Sequence, residues 1–259
     1  VLLWTLMVVY ILNFLDRQIV NILAEPISRD LGLSDTQIGL LTGLAFALFY
    51  TFLGIPIARY ADNPRTNRVN LISISIAVWS LMTAVCGLAQ NFAQLALARI
   101  GVGVGEAGCT PAAHSLITDS VAPEKRSSAI AFYGLGIPIG SLLGLIVGGV
   151  LNDAYGWRVA FMVVGVPGLI MAALLLFLLR EPRKALMAEQ AITGGKPRAT
   201  LSTKEALKEV FSSRAFLLLV IAASFTAFLS YGKGVWAVIL FIRSFGLSAG
   251  ETGTLLGVV

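Results

Sequence analysis

Long apolar runs separated by short polar breaks recur along almost the whole chain. They predict helical spans at residues 2–24, 38–58, 69–88, 92–118, 127–150, 159–179 and 215–242, with an eighth opening near 250. Each complete run suits a hydrocarbon core of about 30 Å, which takes about 20 helical residues to cross. The short alternating strands of a closed barrel are absent from the pattern, so helices that satisfy their own backbone hydrogen bonds are the expected way across. Several starts carry chemical marks as well. Ser34 with Gln37, and Ser248 with Glu251, have capping-box spacing, and Pro123 precedes a charged turn suited to a helix start. The fold class expected is all-α, a polytopic membrane helix bundle.

One stretch breaks the rhythm. Residues 181–213 are polar, contain Gly194-Gly195 and Pro197, and separate an expected bundle of six spans, residues 1–180, from residues 214–259. Ser202 and Glu205 could cap a short helix there whose Leu207, Val210 and Phe211 form a stripe for the membrane surface, and a solvated linker is the alternative. Across this break an internal repeat appears. Gly32-Leu33-Ser34 followed by Gly39, Leu41 and Gly43 returns at the same spacing as Gly246-Leu247-Ser248, Gly253, Leu255 and Gly257. Both copies join the first span of a block to its second, as in two parallel six-helix halves joined by a long loop. On that reading the chain, which starts at Val1 and stops in an apolar run, is a piece holding one half and the start of the second.

Composition agrees with the pattern. Of the 259 residues 57% are hydrophobic and only 13% charged, about half the charged share usual in soluble domains. The net charge of +5 is spread over connections rather than gathered in a patch, which excludes a nucleic-acid partner. Its distribution sets an orientation. Arg59, Arg65 and Arg68 follow span two, Lys125 and Arg126 follow span four, and Arg180, Arg183, Lys184, Lys196, Arg198, Lys204 and Lys208 follow span six, whereas the alternate connections hold little beyond Arg29, Arg158 and Arg243. The positive-inside rule then places the amino terminus in the cytoplasm, with the protein in a plasma or bacterial inner membrane. Cys86 and Cys109 lie inside apolar runs and read as small packing residues, and the first run, lacking a cleavage pattern, reads as a retained span.

Charges inside the apolar runs are the candidate chemistry. Span one holds Asn13-Phe14-Leu15-Asp16-Arg17, and a charge at the bilayer centre costs roughly 2.5–3.5 kcal/mol on insertion scales, so such residues face a cavity or a partner. Span four holds Arg99 and Glu106, whose spacing of about two turns puts them on one helix face beside Gly101, Gly105 and Gly108. If the four charges meet, burial favours the neutral acid while a nearby arginine favours the carboxylate. A substrate anion or helix movement that diverts the arginine would then load a proton. A permanently ionised structural pair is the competing reading. Glycines 136, 140, 144 and 148 make a ridge on span five, first of all a packing surface, and Lys233 interrupts span seven where it could face a cavity. Gly103 to Gly108 matches G-x-G-x-x-G but sits in a membrane helix after no strand, so no dinucleotide site is read there. Metal-ligand clusters and a phosphate loop are absent from the sequence, so neither a metal nor a cofactor is expected, and no catalytic constellation points to an enzyme.

These residues resemble a known family. Asn13 to Arg17, Arg99 with Gly105-Glu106-Ala107, Pro123-Glu124-Lys125-Arg126-Ser127 and the Gly/Pro run of span five are similar to the major facilitator superfamily, and within it to the Spinster-like branch. The resemblance implies twelve spans in two bundles, alternating access, and a proton-driven secondary transporter acting as a single chain. It assigns coupling and substrate roles to Asp16, Arg17, Arg99 and Glu106, and a small organic or lipid-like cargo of the kind its eukaryotic relatives carry. Organic-anion and sugar-acid carriers of other branches use a similar span-one pattern and stay open, as does a non-transporting sensor. The loop after span two departs from the family's Gly-x-x-x-Asp-Arg-x-x-Arg-Arg: Asp62 is kept, but Asn63 follows it, so the cytoplasmic gate is expected to use Asp62 with Arg65 or Arg68. Pro138 also falls inside the Gly136–Gly140 interval rather than after it, which leaves the transport direction open.

Overall fold

The structure, a computed structural model, describes residues 1–183, 185 and 203–258. The described residues are helical with no strands. α1 (Leu2–Leu31) is the first crossing, and α2 (Asp35–Gly39), a π-helical turn (Leu40–Leu44) and α3 (Ala45–Asp62) together make the second. α4 (Arg68–Cys86) is the third, and α5 (Phe92–Glu106) with α6 (Cys109–Ser120) the fourth. A 3₁₀ turn (Pro123–Lys125), α7 (Arg126–Gly134) and α8 (Gly136–Tyr155) build the fifth, and α9 (Trp157–Leu178) is the sixth. Within the linker stretch lies the short α10 (Thr203–Ser212), and after it come α11 (Arg214–Phe245) and α12 (Ala249–Val258). The Ser202 cap expected for α10 lies outside the described residues.

Where helix ends differ from the hydropathy pattern, local chemistry supplies the reason. α1 continues past its apolar run to Leu31, because its polar last turns are paired: Arg29 reaches Glu25 at 2.8 Å one turn back. The fourth crossing divides after Glu106. Pro111 lacks the N–H that would bond the Ala107 carbonyl, so the helix restarts at Cys109. Pro138 does the same to the fifth crossing, which divides at Leu135.

The repeat seen in the sequence is a repeat in geometry. Gly32 and Gly246 both close their helices in the left-handed region, at φ 63° and 67°. The serine two residues later then caps the next helix by a reciprocal box: Ser34 with Gln37, and Ser248 with Glu251, whose carboxylate accepts from the Ser248 N–H at 2.8 Å.

α1 lies along α8, α4 lies against α9 and α5, and α3 packs on α5, enclosing a core that includes Ile19, Ile22, Ile76, Trp79 and Phe161. Phe52, Ile55, Leu97 and Phe177 point outward, as suits acyl chains. Between α1 and α8 the glycine ridge is the contact itself: a Cβ on Gly144 would sit 2.7 Å from the Leu15 carbonyl oxygen and one on Gly140 2.8 Å from the Phe14 Cβ. α8 also carries α12, with Gly149 against the Ala249 backbone and Gly253 against Leu145. The helix after the linker buries side chains near its end. Val235, Val238, Ile239 and Ile242 of α11 are buried, whereas residues 214–233 are almost wholly exposed.

Replacing Gly144 by valine should cost about 1–3 kcal/mol by overpacking, because the obstructing atoms belong to the α1 backbone and cannot step aside. Thermal unfolding in detergent checks this, with Gly134→Val as the control, since a Cβ at Gly134 meets nothing within 4 Å.

Candidate functional site

The four predicted charges meet near the middle of the bundle. Arg17 Nε donates to Glu106 Oε2 at 2.7 Å, and Arg99 NH1 lies 3.7 Å from Asp16 Oδ2. Both carboxylates and Arg99 are buried, and Arg17 keeps 12% of its side chain exposed. α1 brings Asp16 and Arg17 on successive residues, so they point to different sides and each finds its own partner on α5. α5 can approach because its glycines admit neighbours: Gly101 faces Met82, Gly103 the Phe46 backbone and Gly105 the backbone of Trp79.

Aromatic rings enclose the cationic side. The Arg17 guanidinium carbon is 5.1, 5.0 and 4.7 Å from the ring centres of Phe14, Phe46 and Tyr50, and Arg99 is 5.5 Å from Phe46. Several polar atoms here have no hydrogen-bond partner although buried: Asn13 Oδ1, Asp16 Oδ2, Glu106 Oε1, and Nε and NH1 of Arg99. Buried polar groups in folded interiors are usually hydrogen-bonded, so this concentration makes the place a candidate site.

Arg17, Arg99, Phe14 and Phe46 open onto a cavity of about 210 Å³, also lined by Gln18, Asn21, Thr42, Ile137, Ser141, Ser230, Tyr231 and Gly234. Gln18 links two of the polar groups, accepting from Asn21 at 2.8 Å and donating to Ser141 at 3.4 Å. Thr42 sits in the π-helical turn, an irregularity that commonly marks functional positions. A larger recess of about 950 Å³ lies between α8 and α12, but it is shallow, mostly apolar and holds neither charge pair, so the central cavity is the candidate site.

Other expected positions fall elsewhere. Lys233 is exposed on α11 and does not line the cavity, whereas its neighbours Tyr231 and Gly234 do. Asn13 is buried beside Asp16's turn with its carbonyl unpaired. Asp62 and Arg65 are exposed, while Arg68 is fully buried: it donates to Asp119 at 2.7 Å and Ser115 at 3.0 Å, and to both oxygens of Glu181. Arg183 joins the same knot through the Ala61 and Asn63 carbonyls, each at 2.8 Å. The partners Asp119, Ser115, Glu181 and Arg183 were not anticipated, since nothing in their sequence neighbourhood distinguishes them from ordinary loop polarity. Gln18 and Asn21 could have been found, for with Phe14 and Arg17 they occupy one helical face at i, i+3, i+4 and i+7.

At the opposite end, residues on either side of the linker are joined. Arg243 Nε donates to Glu25 at 2.7 Å, and its terminal nitrogens donate to Asp35 at 2.8 and 3.1 Å. The Gly250 N–H donates to Asp153 at 2.8 Å, and Arg158 pairs with Asp30 beside the Trp157 indole.

Burial opposes ionisation of Glu181, but the hydrogen bonds from Arg68 and from the Arg183 backbone outweigh it and hold the carboxyl below its usual range. A lowered carboxyl stabilises the fold above its unfolded value, and that contribution disappears as pH falls through the lowered one. Glu181→Gln should therefore lower the melting temperature at neutral pH, with the gap to wild type closing as the pH drops below about 4. Paired thermal melts across pH test this.

Comparison with known proteins gives consistent matches. Residues 6–259 match the profile described as Major Facilitator Superfamily. An MFS-type efflux pump of Mycolicibacterium smegmatis is 35% identical over 95% of this chain and 55% of its own length. Protein spinster homolog 1 of Mus musculus is 33% identical over 90% of this chain and 44% of its own length. The crystal structure of a bacterial homologue of the human lysosomal transporter Spinster, in an inward-facing and unoccupied conformation, superposes with a TM-score of 0.83 at 36% identity, covering 99% of this chain and 58% of that one. The chain thus spans about half the length of the curated relatives it matches.

Proposed function

Because the chain belongs to the Major Facilitator Superfamily, on its Spinster-like branch, we propose that it supplies the first six-helix half and the start of the second half of a proton-coupled carrier. Residues 1–180 are the first bundle, 181–213 the cytoplasmic linker, and 214–259 the opening of the second bundle. The carrier works by alternating access in a plasma or bacterial inner membrane, with its amino terminus in the cytoplasm.

The observation that carries the reading is the buried pairing of Asp16 with Arg99 and Glu106 with Arg17, beside a cavity that the two arginines help to line. Burial of an acid favours its neutral form, and a neighbouring arginine favours its carboxylate. A cargo anion entering the cavity would compete for the arginines and leave the carboxylates to take protons. The cavity wall suits an amphipathic cargo: guanidinium groups at one pole, with Phe14, Phe46 and Ile137 beside them. The amide and hydroxyl rim of Gln18, Asn21 and Ser141 favours a second reading, a sugar-acid anion on the same site.

Access follows from where the linked halves touch. Contacts through Arg243, Asp153, Val235 and Ile242 gather at the end holding the 32–34 and 246–248 corners, while α11 stands free of the first bundle at the arginine-rich end. With the arginine-rich end in the cytoplasm, this is an inward-open arrangement closed on the outside by the Arg243 clasp. Arg68, Asp119, Glu181 and Arg183 brace the cytoplasmic end of the first bundle and tie the start of the linker to it.

The complete transporter in proteoliposomes tests this by proton flux triggered by a panel of lysolipids, organic anions and hexuronates. Wild type should give saturable flux with at least one class, and Asp16→Asn and Glu106→Gln should each reduce it to background. Flux unchanged in both variants would make the buried pairs structural, and unsaturable conductance would make the protein a channel.

A further inference from the structure

The Asp16 carboxyl has a second contact besides Arg99. Thr83, fully buried on α4, places its hydroxyl against Asp16 Oδ1, and Thr83 Oγ1 also lies 2.9 Å from the backbone carbonyl of Trp79 one turn back. A hydroxyl has one hydrogen to donate and two lone pairs to accept with. An ionised Asp16 and the Trp79 carbonyl are both acceptors, so that one hydrogen can serve only one of them at a time.

We infer that Thr83 is the positioning residue for Asp16, a two-way hydroxyl that gives the carboxyl a partner in both of its protonation states. The inference rests on Asp16 being a proton carrier, as proposed above. With Asp16 ionised, the Thr83 O–H donates to Oδ1. When Asp16 gains a proton on Oδ1, the acid O–H donates to Thr83 Oγ1, and the threonine hydrogen turns onto the Trp79 carbonyl. One proton is added to the carboxyl, the O–H bond of Thr83 stays whole, and Asp16 Oδ1 and Thr83 Oγ1 stay hydrogen-bonded to each other throughout.

The surroundings make this hydroxyl matter. Asp16 is faced by Arg99 and Glu106 from the fourth crossing, Arg17 from its own helix and Cys86 from α4. Arg99 stands at 3.7 Å, beyond ordinary hydrogen-bonding distance, so among the described residues Thr83 is the group that hydrogen-bonds the carboxyl. The Trp79 backbone on which the hydroxyl would turn is also the backbone that Gly105 touches, next to Glu106. The state of one carboxyl is thereby felt at the helix contact that holds the other.

Infrared difference spectra of the complete transporter in nanodiscs, recorded as a pH titration of the carboxyl C=O stretch, test the inference without a substrate. Asp16→Asn should remove one titrating band and so assign it. A hydrogen bond to a charged group is worth more than one to a neutral group, so Thr83→Val should move that band's midpoint up by about one pH unit. Thr83→Ser, which keeps the hydroxyl, should restore it. Thr83→Ala is measured in parallel, so a valine variant that fails to fold still leaves a hydroxyl-free comparison. An Asp16 band whose midpoint is the same in the hydroxyl-free variants overturns the role of Thr83 while leaving Asp16 a proton carrier. If Asp16→Asn removes no titrating band, Asp16 does not carry the proton and both readings fall.

Discussion

Hydrocarbon gives an ionised side chain no water to retreat to, so the pairing of Arg17 with Glu106 and of Asp16 with Arg99 constrains everything around it. Two helices must stay close enough to hold both pairs, and each must present its two charges from particular turns. A member stripped of its partner becomes an uncompensated buried charge, which is far more costly than the intact pair. The asymmetry between them is informative. Arg17 reaches Glu106 in direct hydrogen bonding and is boxed by three rings, while Arg99 stands off from Asp16, and Thr83 makes up the difference.

Backbone proximity is what makes that pairing possible, and glycine is what makes the proximity possible. Gly105 seats Trp79, and Gly140 and Gly144 seat α1 on α8. α1 is thus held from one side by a smooth ridge and from the other by ionic contacts, so its cavity face of Phe14, Arg17, Gln18 and Asn21 is fixed in angle. The breaks at Ala107–Gly108 and Leu135 fall on the far side of this arrangement from the Arg243 clasp, which leaves the fourth and fifth crossings jointed toward the arginine-rich end.

Much of this was legible in the sequence because membranes impose a simple code. Spans were readable from apolar length, and Asp16, Arg17, Arg99 and Glu106 stood out because charge is rare in such runs. The Gly-Leu-Ser corners stood out because capping boxes have fixed spacing. What escaped the sequence was of two kinds. Helix breaks at Pro111 and Pro138 lie inside continuous hydropathy, which registers transfer energy and not a missing N–H. Partners supplied by ordinary residues, such as Thr83, Asp119 and Glu181, carry no local signal, because a lone hydroxyl in a span or a carboxylate near a helix end is common and only the tertiary contact distinguishes it. The loop after span two drew attention to Asp62, Arg65 and Arg68, but the partners Arg68 takes, from α6 and the start of the linker, depend on chain paths a pattern cannot follow.

The two capped corners at Gly32 and Gly246 have a mechanical meaning. Each turns the chain in two residues, locks one helix end in the left-handed conformation and anchors the next start by two reciprocal hydrogen bonds. A corner built this way has almost no slack. The helices it joins are fixed in register at the corner, and because the two corners are copies of one design, each pair meets through the same kind of joint.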